Sequence, residues 1–168
     1  MKIHITEKDI QERINEMGKE LSIRYRGKSP IIIGVLNGSF IFLADLVRSI
    51  KTDCKVDFIK LKSYDGSSST GEVNLVNDIS LDIENEHIIV VEDIIDTGLT
   101  LDFLISHFIN LNPASISIAT LLFKNTKKKI KHKVDYIGFD VDDEFVIGYG
   151  MDLNQEKRNL PSIYKINI

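Results

Sequence analysis

The chain has 168 residues, of which 43% are hydrophobic and 27% charged, with a net charge of -4. That is enough chain for one domain, residues 1–168, with its own core, and its acidic balance argues against broad binding to nucleic acid or an anionic membrane. The only cysteine, Cys54, excludes an intrachain disulfide and a cysteine-built metal site, and no apolar run approaches the ~18 residues that span a bilayer. The N-terminal Met1-Lys2-Ile3-His4 lacks the apolar core of a signal peptide, so a cytoplasmic protein is expected.

In chain order, Thr6-Glu7-Lys8-Asp9 has the form of a capping box, and Ile10, Ile14, Met17 and Leu21 follow at helical spacing. Beyond Pro30, residues 31–36 read as a buried strand, and Asn37-Gly38-Ser39 as a turn into a helix with an apolar stripe of Phe40, Leu43, Val47 and Ile50. Residues 55–61 read as a strand in which Val56 and Phe58 alternate with polar neighbours. The small, polar segment 63–71 reads as a mobile loop, and residues 73–76 as a short strand beside it. The β-branched run 88–91 reads as a strand buried on both faces. Leu101, Leu104, Phe108 and Leu111 face a helix that Asn112-Pro113 stops. Further strands are expected over 115–123, 134–139 and 145–149, followed by an irregular tail. Strands alternating with helices predict an α/β fold with a mainly parallel sheet.

The most informative stretch is Val90-Val91-Glu92-Asp93-Ile94-Ile95-Asp96-Thr97-Gly98-Leu99-Thr100. A capped helix start needs one polar residue; here three acids, two threonines and a glycine converge where a strand passes into a helix. Ligands of open α/β sheets bind outside the carboxyl ends of the strands, and an anion is held well at a helix N-terminus. Carboxylates beside such a site imply a cation or a sugar hydroxyl between them.

This stretch resembles the phosphoribosyl-pyrophosphate motif of the type I phosphoribosyltransferases, in the form found in their hypoxanthine-guanine branch. Further motifs follow the family's order from Ile31 to about Pro161. The resemblance implies a mainly parallel sheet flanked by helices, with a small hood built from the N- and C-terminal segments. It implies that Glu92, Asp93, Asp96, Thr97, Gly98, Leu99 and Thr100 bind the phosphoribosyl group: the two adjacent acids at the ribose hydroxyls and Mg²⁺, Asp96 as the proton acceptor at the purine N7, and residues 97–100 around the 5′-phosphate. Leu36, Asn37 and Gly38 match the pyrophosphate loop, with a non-proline cis peptide at Leu36–Asn37. The family often carries Lys or Arg where this chain has Asn37, so Arg158 and Mg²⁺ are expected to carry more of the pyrophosphate charge. Ser63 and Tyr64 match a flexible lid. Lys124 matches the residue that reads the purine O6, Phe145 the ring that stacks on the base, Val146 the backbone that reads its edge, and Asp152 an acid that helps hold a second Mg²⁺.

The resemblance further implies a homodimer or homotetramer that joins phosphoribosyl pyrophosphate to hypoxanthine, and to guanine, giving the nucleotide and pyrophosphate. Two other classes compete. A nucleotide- or RNA-binding regulator on the same fold conflicts with the acidic charge. A Mg²⁺-dependent phosphohydrolase using Asp93 or Asp96 leaves Thr97–Thr100, Lys124 and Phe145 without a joint role. The basic run 127–133 reads as a solvated segment, and His4, His87, His107 and His132 have no metal spacing.

Overall fold

The computed structural model describes residues 1–63, 73–124 and 130–166. Its chain order is β1 (Lys2–Ile5), α1 (Glu7–Arg24), β2 (Ile31–Leu36), α2 (Phe40–Ser49), β3 (Lys55–Ser63), β4 (Val73–Asn77), β5 (His87–Ile95), α3 (Leu99–Ile109), β6 (Ser115–Lys124), β7 (Tyr136–Val141), β8 (Phe145–Ile147) and β9 (Ile163–Ile166). A six-stranded sheet has the order β4-β3-β2-β5-β6-β7, parallel throughout except where β4 pairs antiparallel with β3. After β2 the chain goes to one side, to β3 and β4, and then returns to the other side of β2 to lay down β5. Strand order therefore reverses between β2 and β5, and the crevice at their carboxyl ends is the place where such sheets take ligands. Both the α/β class and the largely parallel sheet agree with the sequence reading.

The buried strand β5 explains the position of the sheet's centre. Ile88, Ile89, Val90 and Val91 are each 0% exposed, and they alternate between two cores. Ile89 and Val91 join α1, α2 and Ile32 on one face, while Ile88 and Val90 join Leu104 and Phe108 of α3 on the other. The expected capping box is present: Thr6 Oγ1 accepts from the Asp9 amide at 3.2 Å and donates to Asp9 Oδ2 at 2.6 Å. Ile10, Ile14, Met17 and Leu21 form the buried stripe of α1 as expected.

Three patterns differ from the sequence reading. In α2 the buried residues are Phe42, Leu43 and Leu46, and Phe40 is 43% exposed, because the apolar residues cover a wider arc than the face that packs, and α1 and the sheet select the stripe. In β3 the core takes Asp57 and Ile59, whereas Val56 and Phe58 face outward. Leu111 lies past the end of α3 and is exposed.

The tail is not irregular throughout. Its strand β9 lies between β1 and β8 in a separate antiparallel sheet, so both ends of the chain form the hood that the resemblance implied. Four residues of β1 carry too little apolar signal to be seen in sequence; their hydrogen bonds come from a partner more than 150 positions away. No described helix is long and apolar enough to cross a membrane.

Candidate active site

The acidic motif does not end β5 as the sequence suggested; the strand continues to Ile95 and carries Glu92 and Asp93 within it. Both carboxylates line the second of the cavities described below, while Glu92 also reaches the first and Asp93 the third. Glu92 is buried at 6% exposure. Burial, reinforced by the neighbouring Asp93 charge, raises its pKa well above the ordinary carboxylate range. Burial also raises Asp93, against the opposing pull of backbone N–H groups and of Arg158.

Three adjoining cavities meet on β5, and Ile94 lines all of them. The smallest, about 100 Å³, is enclosed by Glu92, Asp96, Thr97, Gly98 and Thr100 with apolar neighbours. Gly98 begins α3 in the left-handed region (φ 79°) and has no side chain to cap the helix, so the cavity faces amides of the first turn. Thr97 Oγ1 accepts from the Leu99 amide at 3.4 Å. The Leu99 side chain is exposed and takes no part in the lining. Ile130 packs over Gly98 from the far side, a contact with no sequence signal.

The second cavity, about 260 Å³, lies between β2 and β5. Its lining includes Leu36, Asn37, Gly38, Asp93, Asp152 and Arg158. The Leu36–Asn37 peptide is cis, as the resemblance implied. Gly38 is required by a close approach: a Cβ there would lie 1.8 Å from Asp93 Oδ2. Arg158 is fixed by three bonds, donating to the Gly150 carbonyl at 2.8 Å, to Gln155 Oε1 at 3.0 Å and pairing with Asp152 Oδ1 at 2.8 Å.

The third cavity, about 220 Å³, is lined by Asp93, Asp96, Lys124, Glu144, Phe145, Val146, Met151 and Asp152. Lys124 Nζ lies 3.2 Å from both Asp96 Oδ2 and Asp143 Oδ1. Burial works against its charge, but the bonds to Asp143 and Asp96 prevail and its pKa is raised. Val146 is buried, while the Phe145 ring is 43% exposed beside the cavity. Met151, Glu144 and Asp143 were missed in sequence, where nothing distinguishes them from ordinary strand and turn residues. Ser63 ends β3, and Tyr64 lies outside the described residues. The flanking strands bring Leu61 and Val73 to the second cavity.

A family model described as the phosphoribosyl transferase domain matches residues 5–154. The hypoxanthine-guanine phosphoribosyltransferase of Bacillus subtilis is 43% identical over 163 residues, covering 96% of this chain and 91% of that protein. The chain belongs to the hypoxanthine-guanine phosphoribosyltransferase family. The crystal structure of a phosphoribosyltransferase of this name from Bacillus anthracis matches with a TM-score of 0.94 at 41% identity, covering 99% of each chain. A variant of the Trypanosoma cruzi hypoxanthine phosphoribosyltransferase, solved with its product IMP, matches with a TM-score of 0.91 at 35% identity, covering 99% of this chain and 90% of that one. As a member of the family the chain is a transferase of purine salvage that forms IMP or GMP from phosphoribosyl pyrophosphate and a purine base.

The donor set also suits Mg²⁺. No group of three or more His, Cys, Asp or Glu forms a ready-made metal site among the described residues. Mg²⁺ is held through one or two carboxylates, waters and substrate oxygens rather than by an all-protein cage. Asp93 and Asp152, both lining the second cavity, and the buried pair Glu92–Asp93, whose pKa values burial raises, fit a cation of that kind.

Proposed function

We infer that the three cavities hold, in order, the 5′-phosphate, the pyrophosphate and a 6-oxopurine, with the ribose lying over Ile94 where they meet. The single observation that carries this reading is the convergence of all three on one strand end. Backbone amides and hydroxyls of Thr97, Gly98, Leu99 and Thr100 receive the phosphate. Glu92 and Asp93 face the ribose hydroxyls. The amides of Asn37 and Gly38, with Arg158, receive pyrophosphate. Glu92, Asp93 and Asp152 would hold Mg²⁺, which would supply counter-charge for pyrophosphate.

The bond from the ribose C1′ to pyrophosphate breaks as the bond to the purine nitrogen forms, and the purine proton passes to Asp96. No protein nucleophile is needed, because the work is positioning and electrostatic stabilisation. Lys124 donates to the purine O6. Adenine presents an amino donor at that position, so two donors would face each other in a site where the lysine is 13% exposed. Phe145 stacks on the base, and the Val146 backbone reads its edge. Hypoxanthine is the expected base, with guanine also accepted.

The test is nucleotide formation from purified protein, Mg²⁺ and phosphoribosyl pyrophosphate with hypoxanthine, guanine, xanthine and adenine in turn. Turnover with the 6-oxopurines and none with adenine is expected; equal use of adenine would remove Lys124 from the role given to it. Assembly into a homodimer or homotetramer is supported by the outward face of β3, where Val56 and Phe58 are 40% and 38% exposed. A cytoplasmic location completes the reading and is checked by cell fractionation.

A further inference from the structure

The pyrophosphate loop runs straight into α2. Ser39, fully buried, donates from its Oγ to the Val35 carbonyl at 2.6 Å, and the Leu43 amide donates to the Ser39 carbonyl at 2.8 Å. Farther along α2, Asp45 accepts from the Tyr149 hydroxyl and from Gln11 Nε2 of α1 at 2.9 Å, and pairs with Arg48 at 2.5 Å. Gln11, Asp45, Arg48 and Tyr149 line none of the three substrate cavities. These four line a separate cavity of about 360 Å³, with Glu7, Ile41 and Asn159 among its walls.

Tyr149 is 3% exposed and sits at φ 49°, a left-handed conformation that a bulky residue keeps only where its surroundings hold it. Its neighbour Gly150, at φ 100°, packs between Gly38 and Arg158. A Cβ on Gly150 would lie 2.1 Å from the Gly38 carbonyl oxygen. On its other side the Gly150 amide donates to the Arg158 carbonyl at 2.9 Å, and its own carbonyl accepts from the Arg158 guanidinium at 2.8 Å. The turn at 149–150 therefore spaces Arg158 from Gly38, and the Tyr149 hydroxyl ties that turn to α2, the helix that follows the Asn37–Gly38 loop.

We propose that Tyr149, through its hydrogen bond to Asp45, is a positioning residue that sets Arg158 against the Asn37–Gly38 loop for pyrophosphate binding. This rests on the assignment of the second cavity to pyrophosphate. Burial and the Asp45 carboxylate raise the Tyr149 pKa, so the phenol stays a donor across the working pH range. The purine wall does not depend on the same bond. Phe145, Val146 and Ile147 are held by pairing with Ile166, Lys165 and Tyr164 of β9, before the chain reaches Tyr149. Removal of one hydroxyl should thus loosen the pyrophosphate side and leave the purine side in place. The consequence is larger in this chain because Asn37 brings no cation to the loop, leaving Arg158 as the cationic side chain of the second cavity's described lining.

The test compares Tyr149→Phe, Asp45→Ala, Asp45→Asn and Arg158→Ala in the intact enzyme, measuring KM for phosphoribosyl pyrophosphate, KM for hypoxanthine, kcat and inhibition by Mg²⁺-pyrophosphate. Tyr149→Phe and Asp45→Ala should weaken phosphoribosyl pyrophosphate and pyrophosphate about five- to tenfold, the scale of one hydrogen bond, with hypoxanthine KM within about twofold. Asp45→Asn keeps an acceptor for the hydroxyl and should recover most of the loss. Unchanged constants in Tyr149→Phe beside a clear loss in Arg158→Ala overturn the proposal and leave the cavity assignment standing. Unchanged constants in both overturn the proposal and the assignment together. A parallel rise in both KM values with a lowered Tm shows a merely structural role and also overturns it.

Discussion

Asp96 and Lys124 hold each other at 3.2 Å across the cavity walled by Phe145 and Val146, so in the free protein each satisfies the other's charge. In the proposed binding mode a purine entering between them would exchange that ion pair for two bonds of its own. Asp96→Asn keeps the shape and one hydrogen bond but cannot accept the proton, so kcat should fall by ~10²–10⁴-fold with the Tm nearly unchanged. Steady-state kinetics beside a melting curve check this, and near-normal turnover would remove Asp96 from proton transfer. Lys124→Met removes the donor to O6; kcat/KM for hypoxanthine should drop about ten- to a hundredfold, the worth of a charged hydrogen bond, while the residual rates with hypoxanthine and adenine converge. Gly38→Ala puts a methyl group into the Asp93 carboxylate. Phosphoribosyl pyrophosphate binding should be lost before stability is, as calorimetric titration would read.

At the scale of elements, the most informative departure is Asp57. A charged residue on the core face of β3 breaks the apolar–polar alternation, so the alternating Val56 and Phe58 do not mark the strand's inward face. Asp57 is buried because its carboxylate accepts from the amides of Phe58, Ser80 and Leu81 at 2.8, 2.7 and 2.7 Å. It therefore ties β3 to the segment that leads back to β5. Burial opposes the charge, but the amide bonds prevail and the pKa falls below the ordinary value of 3.8. A carboxyl group whose folded pKa is depressed stabilises above its unfolded pKa and loses that contribution as pH falls through the folded value. Asp57→Asn should cost about 1.5–3 kcal/mol at neutral pH. The gap from wild type should start to narrow as the pH falls below about 4 and close only below the depressed folded pKa. Denaturant melts at both pH values test it, and a gap independent of pH would mean that the charge does not contribute. The expected α1 signals, by contrast, are satisfied locally by Thr6 and Asp9 and survive unchanged in the structure.

For the whole molecule, the outward face of β3 is the open question of assembly. Phe58 sits beside Gly34 and Leu43 of α2 yet remains 38% exposed. If copies of the chain meet there, Phe58→Glu should reduce the mass seen by light scattering to that of one chain, while far-UV circular dichroism stays the same. An unchanged mass would place the contact elsewhere. The reading of residues 1–168 as one domain is tested by heat: one cooperative transition is expected, since the hood shares its core with α1 and the sheet through Ile5, Val146 and Ile163.

The sequence by itself determined the α/β class, the run that becomes β5 and the residues of the acidic motif. These are recorded in adjacent positions, by local periodicity and by the residue types a strand-to-helix junction needs. Tertiary structure alone decided which apolar residues of α2 and β3 face inward, that short terminal strands pair into a hood, and that Gly150 spaces Arg158 from Gly38. Each of these depends on groups far apart in the chain. An amphipathic pattern can name a set of buried residues only when the apolar arc matches the packed face; where the arc is wider, or a strand buries a carboxylate, the partner that packs against it makes the choice.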